Sequence, residues 1–262
     1  MLRGWVLRRV FSWSIEQDVI GASPFVGLKL RAKERKSERV LSADEVRALW
    51  LALDDVQGGH PDYADAARVL LLTGVRRDMV LGMKRAELED LDGREPRWVI
   101  PGGFEGRSKS GRAHVVPLSP EALAVLRRRL EGTAGELLFA VTRAARVGEP
   151  PKHHNLTWSS RAVEAIRKAT EEKLGQRIAK WRIHDLRHTI ATHLREDLKV
   201  SSDVVSLILG HTLAGPRVTR VYDRSELLPE RRAAFVAWAS WVVRADGGEA
   251  VVVPLRGRTP RG

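Results

Sequence analysis

Apolar positions along this chain recur mainly at three- and four-residue spacing, the period of helices with one buried face. The first such stretch, residues 1–22, places Val6, Val10, Trp13 and Val19 on one side, with Gly21 as its stop. A run rich in Lys, Arg and Glu follows through residue 40 and reads as a basic linker. Ser42 and Glu45 form a capping-box pattern that opens a helix through Val46 and Leu49. A second helix runs from about Asp62 to Thr73, with Gly74 as its C-cap, and a short helix follows over residues 75–83. Residues 97–101 and 114–118 alternate and are bounded by Pro101 and Pro117, which predicts two strands flanking a Gly-rich hairpin. Ser119-Pro120 starts another helix through Leu130. Residues 141–156 read as a loop around Pro150-Pro151, and a helix follows over 159–174. Ile183, Leu186, Ile190 and Leu194 give an apolar face to a helix over 181–194. Ser202-Asp203 caps a helix ending at Gly210, and residues 229–243 form the last helix. The sum is a mainly α chain with a small antiparallel β-sheet, an α+β fold, with residues 244–262 as a flexible C-terminal tail.

Composition narrows the function. The chain has 262 residues, a formal net charge of +12 and 43% hydrophobic residues, which permits a real core and points to a polyanionic partner, nucleic acid before membrane. With no cysteine, disulfides, thiolate nucleophiles and Cys zinc sites are excluded. No apolar run reaches the ~20 residues needed to cross a bilayer, and arginines interrupt the amino end too early for a signal peptide, so a soluble cytoplasmic protein is expected.

The chemistry concentrates at Trp181-Arg-Ile-His184-Asp-Leu-Arg187-His188. His184 and Arg187 are neighbours on a helix surface near its positive end, a setting that suits an anion such as phosphate. A zinc half-site at His184 and His188 is disfavoured by the permanent charge of Arg187 between them. Further along the chain stand Thr73-Gly-Val-Arg76, Lys109 between the strands, Leu209-Gly-His211 and Tyr222. Tyr222 is one of only two tyrosines; the other, Tyr63, lies in an early helix without cationic neighbours.

In this order the motifs resemble the catalytic domain of the tyrosine recombinases, the phage integrase family, over roughly residues 39–243. The resemblance implies the tyrosine recombinase catalytic-domain fold over residues 41–243. It implies a site-specific recombinase that cleaves and rejoins double-stranded DNA through a covalent 3′-phosphotyrosine, without metal or cofactor. Tyr222 is then the nucleophile, Arg76 and Arg187 are bidentate forks on the phosphate, and His211 is a third donor. Lys109 is the general acid, and His184 is the proton acceptor or a phosphate donor. Arg77, Arg107, Arg112, His188 and Arg220 are expected to contact DNA. Expected partners are three further copies of the chain on paired sites, with accessory DNA-bending or directionality proteins.

Two departures from the family pattern bear on activity. Met79 stands three residues after Arg76, where many members carry an acid, which leaves Asp78 to support that arginine. At the amino end, only the last helix of a core-binding domain is expected, over residues 1–22. The alternatives are therefore a catalytically impaired DNA-binding remnant, or a type IB topoisomerase-like enzyme with the same chemistry.

Overall fold

The computed structural model describes residues 4–25, 39–56, 61–103, 112–143, 152–211 and 227–244. The chain divides into two compact units, residues 1–37 and 38–262.

The first unit is built on helix α1 (Gly4–Glu16). It stops earlier than the expected end at Gly21, because Asp18 takes a left-handed φ of 55° and Val19 N–H returns to the Ser14 carbonyl at 2.9 Å. Phe11 meets Phe25 edge to face at 5.2 Å, while Val10, Trp13 and Val19 are exposed.

In the second unit the helices are α2 (Ala43–Asp55), α3 (Pro61–Thr73), α4 (Arg77–Leu81), α5 (Pro120–Gly132), α6 (Ser160–Leu174), α7 (Asp185–Glu196), α8 (Ser202–Ile208) and α9 (Leu228–Val243). The Ser42–Glu45 capping box is fully formed: Glu45 N–H donates to Ser42 Oγ at 3.2 Å, and Ser42 N–H to Glu45 Oε2 at 2.9 Å. Ser119 and Ser159 cap α5 and α6 through their hydroxyls alone, accepting from Ala122 N–H and Ala162 N–H, each at 3.2 Å. For α8 the cap is Ser201, one residue before the expected Ser202.

Strands β1 (Leu88–Glu89), β2 (Arg97–Ile100) and β3 (His114–Pro117) make an antiparallel sheet in that order, with Ile100 paired to His114 and Arg97 to Pro117. The expected loop over 141–156 instead contains an antiparallel pair, β4 (Ala140–Arg143) with β5 (Lys152–Asn155). Backbone pairing across residues with no clear alternation was not visible in the local pattern. The fold is thus mainly α with small antiparallel sheets.

The core forms where α2 packs on α6, and α3 on α5, α7 and α9. Leu49, Leu53, Leu71, Trp98, Phe139, Ile166 and Trp238 are fully buried there. Trp238 stacks on Trp241 at 5.0 Å, and its Nε1–H donates to the Leu71 carbonyl at 2.6 Å. Buried Arg68 joins α3 to its surroundings through Asp65 and Asp54, and Arg128 also reaches Asp65.

Helix α7 carries the expected chemistry, and three sets of contacts fix it. Leu186, Ile190 and Leu194 are buried in the core, as the spacing predicts. Thr189 Oγ1 accepts from Leu41 N–H at 3.0 Å and donates to the Asp185 carbonyl at 2.9 Å. One turn on, His193 lies between Asp197 and the Leu41 carbonyl, each at 2.7 Å. Leu41, just before α2, is therefore tied to two successive turns of the helix.

Candidate active site

Arg76, His184, Arg187, His188 and His211 line one cleft of about 410 Å³, although they come from three separate parts of the chain. Each is placed by an identifiable local device. Gly74 ends α3 with a φ of 62° and its N–H bonds the Leu70 carbonyl at 2.9 Å, so the chain reverses and Arg76 becomes the N-cap residue of α4. His184 is the N-cap residue of α7, and Asp185 closes the turn before it by accepting from Arg182 N–H at 2.7 Å. His211 follows the α8 C-terminus through Gly210, whose φ is 65°.

Arg187 joins these segments. Its Nη1 donates to the Gly74 carbonyl at 2.7 Å, and its Nη2 donates to the Leu209 carbonyl and to His211 Nε2, the latter at 3.2 Å. A guanidinium only donates, so His211 Nε2 accepts and a neutral His211 carries its proton on Nδ1. The expected bidentate fork is thus partly engaged in holding backbone: the Nε hydrogen and one Nη1 hydrogen remain. Gly74 and Leu209 were not expected as site residues, because a carbonyl acceptor leaves no mark in residue type.

The electrostatics favour an anion. Arg187 is 8% exposed, and burial together with Arg76 lowers its pKa to about 10. Among the described residues no carboxylate pairs with Arg76 or Arg187, whereas the equally buried Arg68 lies between two aspartates. Asp78 does not support Arg76: it is exposed and pairs with Arg77 Nε at 3.2 Å. Short reach and a solvent-facing position on α4 direct it to its sequence neighbour. Met79 is buried in the core at 4% exposure.

Burial, then His188 and Arg187, lower the pKa of His184; burial, then Arg187 and Arg76, lower that of His211. Both rings are therefore biased to the neutral form. The His184 and His188 rings meet edge to face at 5.3 Å. Among the described residues no group of three or more His, Cys, Asp or Glu is placed to hold a metal ion.

Arg112 is exposed at the base of the β2–β3 hairpin, where a Cβ on Gly102 would come within 2.2 Å of the Arg112 backbone. Tyr63 donates its hydroxyl to the Thr157 carbonyl at 2.7 Å, which makes it a packing residue. Lys109, Arg107, Tyr222 and Arg220 lie outside the described residues.

Fold and cleft together define a mainly helical domain that gathers cationic and histidine side chains in one cleft. Residues 39–226 match the model of the phage integrase family, and the chain belongs to that family. It is 31% identical over 170 residues to the prophage integrase IntA of Escherichia coli (strain K12), covering 65% of this chain and 37% of the relative. To the tyrosine recombinase XerC of Actinobacillus pleuropneumoniae serotype 7 (strain AP76) it is 27% identical over 220 residues, covering 80% and 63%. The chain thus spans between 37% and 63% of the length of these two curated relatives. Its fold is similar to that of the Tn1549 transposon integrase in complex with transposon right-end DNA, with a TM-score of 0.50 and 19% identity, over 85% of this chain and 78% of that one. No helix among the described residues is long and apolar enough to cross a membrane.

Proposed function

We propose that this chain is a tyrosine-type DNA strand transferase that cleaves and rejoins double-stranded DNA at specific sites. The observation that carries the reading is the pair Arg76 and Arg187, two cations in one cleft with no carboxylate between them among the described residues. A phosphodiester supplies the missing negative charge. Its non-bridging oxygens gather more charge as phosphorus becomes five-coordinate, so the same donors bind the transition state more tightly than the ground state.

In this mechanism Tyr222 Oη attacks phosphorus and its proton passes to neutral His184. The bond to the 5′-oxygen breaks, and Lys109 protonates that oxygen as it leaves. A 3′-phosphotyrosine remains, which keeps the bond energy, so a 5′-hydroxyl can reverse the step without ATP. Arg76, Arg187 and His211 hold the phosphate, while Arg77, Arg107, Arg112, His188 and Arg220 contact flanking DNA. No metal or cofactor takes part. Residues 41–243 are the catalytic domain; 1–22 carry the last helix of a core-binding domain, 23–40 are the linker and 244–262 the tail. Four copies act together on paired sites, in the cytoplasm, with accessory DNA-bending or directionality proteins.

The test is a covalent-adduct assay with a nicked duplex carrying an attachment site, run beside Tyr222→Phe on a denaturing gel. A shifted band lost in the variant is expected. Binding without an adduct refutes the enzymatic reading and assigns the chain as a DNA-binding remnant. Joint products between two sites separate a recombinase from a topoisomerase.

A further inference from the structure

His114 is the first residue of β3 and pairs with Ile100 at the end of β2. Its ring is 9% exposed, and a hydrogen bond ties it to the Ile208 backbone. Its Nε2 is buried without a partner, so Nδ1–H is the donor to the Ile208 carbonyl. The ring also lies against Gly210, where a Cβ would stand 3.3 Å from both Cε1 and Nδ1. The turn ending in His211 is therefore held from two sides. Arg187 takes the Leu209 carbonyl on one side, and His114 takes the Ile208 carbonyl on the other.

We propose that His114 is a positioning residue: anchored on β3, it fixes the Leu209–Gly210–His211 turn and sets where His211 meets Arg187. The proposal deepens the reading of the cleft as a phosphate clamp and rests on it. The residue type suits the task. A planar ring fits beside a glycine where a branched side chain does not, and it supplies one N–H without a permanent charge. Burial, then Arg231, Arg187 and Arg76, push the imidazole down to about 3, so it stays neutral among three cations. A lysine or arginine here would add a fourth charge to that group.

The test is a double-substitution cycle in the full chain. His114→Phe keeps the ring and removes the N–H; His114→Asn restores an N–H with less bulk. The rate of adduct formation is measured at saturating nicked duplex, with DNA affinity measured separately. His114→Phe is expected to lower the rate by about ten- to a hundredfold, as a small misplacement of a reacting group does, with affinity unchanged. His114→Asn is expected to recover part of the loss. His114→Phe combined with His211→Ala is expected to be no slower than His211→Ala alone, since the first acts through the second. A parental rate in His114→Phe, or penalties that multiply, overturns the proposal.

A second readout needs no cleavage. In nitrogen NMR of the histidine rings, His114→Phe, or His114→Ala if the first does not fold, is expected to raise the His211 titration midpoint, because the turn holding it beside Arg187 loosens. If the parent forms no adduct, the clamp reading fails on its own. The His211 titration then decides the positioning role, and an unmoved midpoint overturns it.

Discussion

Arg76 and Arg187 serve the same proposed chemistry but stand in the fold differently, and substituting each by Gln separates the two roles. Arg187 carries a penalty for its charge: the fall of its pKa to about 10 corresponds to about 3 kcal/mol against the charged form. Against this stand its bonds to the Gly74 and Leu209 carbonyls. Hydrogen bonds from a charged donor contribute about 1.5–3 kcal/mol each. The two effects nearly cancel, so Arg187→Gln is expected to lower stability by no more than about 3 kcal/mol. Arg76 holds no hydrogen bond of this kind among the described residues and only opposes the charge on Arg187. Arg76→Gln is expected to leave stability unchanged or raise it. Both substitutions are expected to slow adduct formation by about a hundred- to a thousandfold, the usual effect of losing one preorganised donor. Urea unfolding and single-turnover adduct formation on a nicked duplex measure the two quantities. The reasoning fails if Arg76→Gln destabilises the protein by more than about 1 kcal/mol, the size of an ordinary structural substitution. It fails equally if either variant keeps most of its rate.

Three further outcomes are expected. Asp65→Asn weakens the pairing of Arg68, which is 3% exposed, and of Arg128, and is expected to lower stability by about 3 kcal/mol in urea unfolding; an unchanged midpoint would remove the triad from the core's support. Thr189→Val leaves the Leu41 N–H buried without its acceptor and is expected to lower stability by about 1–3 kcal/mol, read by thermal melting, with faster hydrogen exchange at Leu41. His114 gives a pH signature. Its folded value of about 3 lies below the usual 6.5, so its neutral ring contributes fully above pH 6.5 and that contribution is lost as pH falls toward 3. His114→Phe is therefore expected to flatten the stability–pH profile between those values, and a profile parallel to the parent's counts against a buried neutral imidazole.

Much of this architecture was legible because it is local. Capping depends on residues three apart, and the box at Ser42 and the cap at Ser119 formed where the sequence placed them. The apolar face of α7 followed from spacing alone. Elements decided by distant pairing were not legible. Nothing near Val141 announces a partner at His154, and the two-residue strand β1 exists only because Leu88 meets Trp98. Helix α1 ends at Glu16 through a left-handed aspartate that composition does not single out. Within the site, the ordered motifs named Arg76, His184, Arg187 and His211, and the cleft gathers them. What they rest on stayed hidden, because Gly74 and Leu209 contribute carbonyls, and His114 reaches Ile208 only once β3 and α8 are packed.

The distribution of charge around the cleft gives the fold a direction. A domain selected for stability alone would set an acid beside Arg187, as it does beside Arg68. Here backbone carbonyls hold the guanidinium instead. They accept its hydrogens without cancelling its charge, and they belong to the two turns that deliver Arg76 and His211. Acceptors without net charge fix the geometry and leave the field intact. An acid at Met79 would pull Arg76 toward the protein and weaken that field, whereas a buried thioether leaves the arginine held by its backbone position at the start of α4. The cluster is thus preorganised and electrostatically incomplete in the free chain. A phosphate entering the cleft would relieve the repulsion between Arg76 and Arg187 at the same time as it is bound, so part of the binding free energy is already stored in the folded protein.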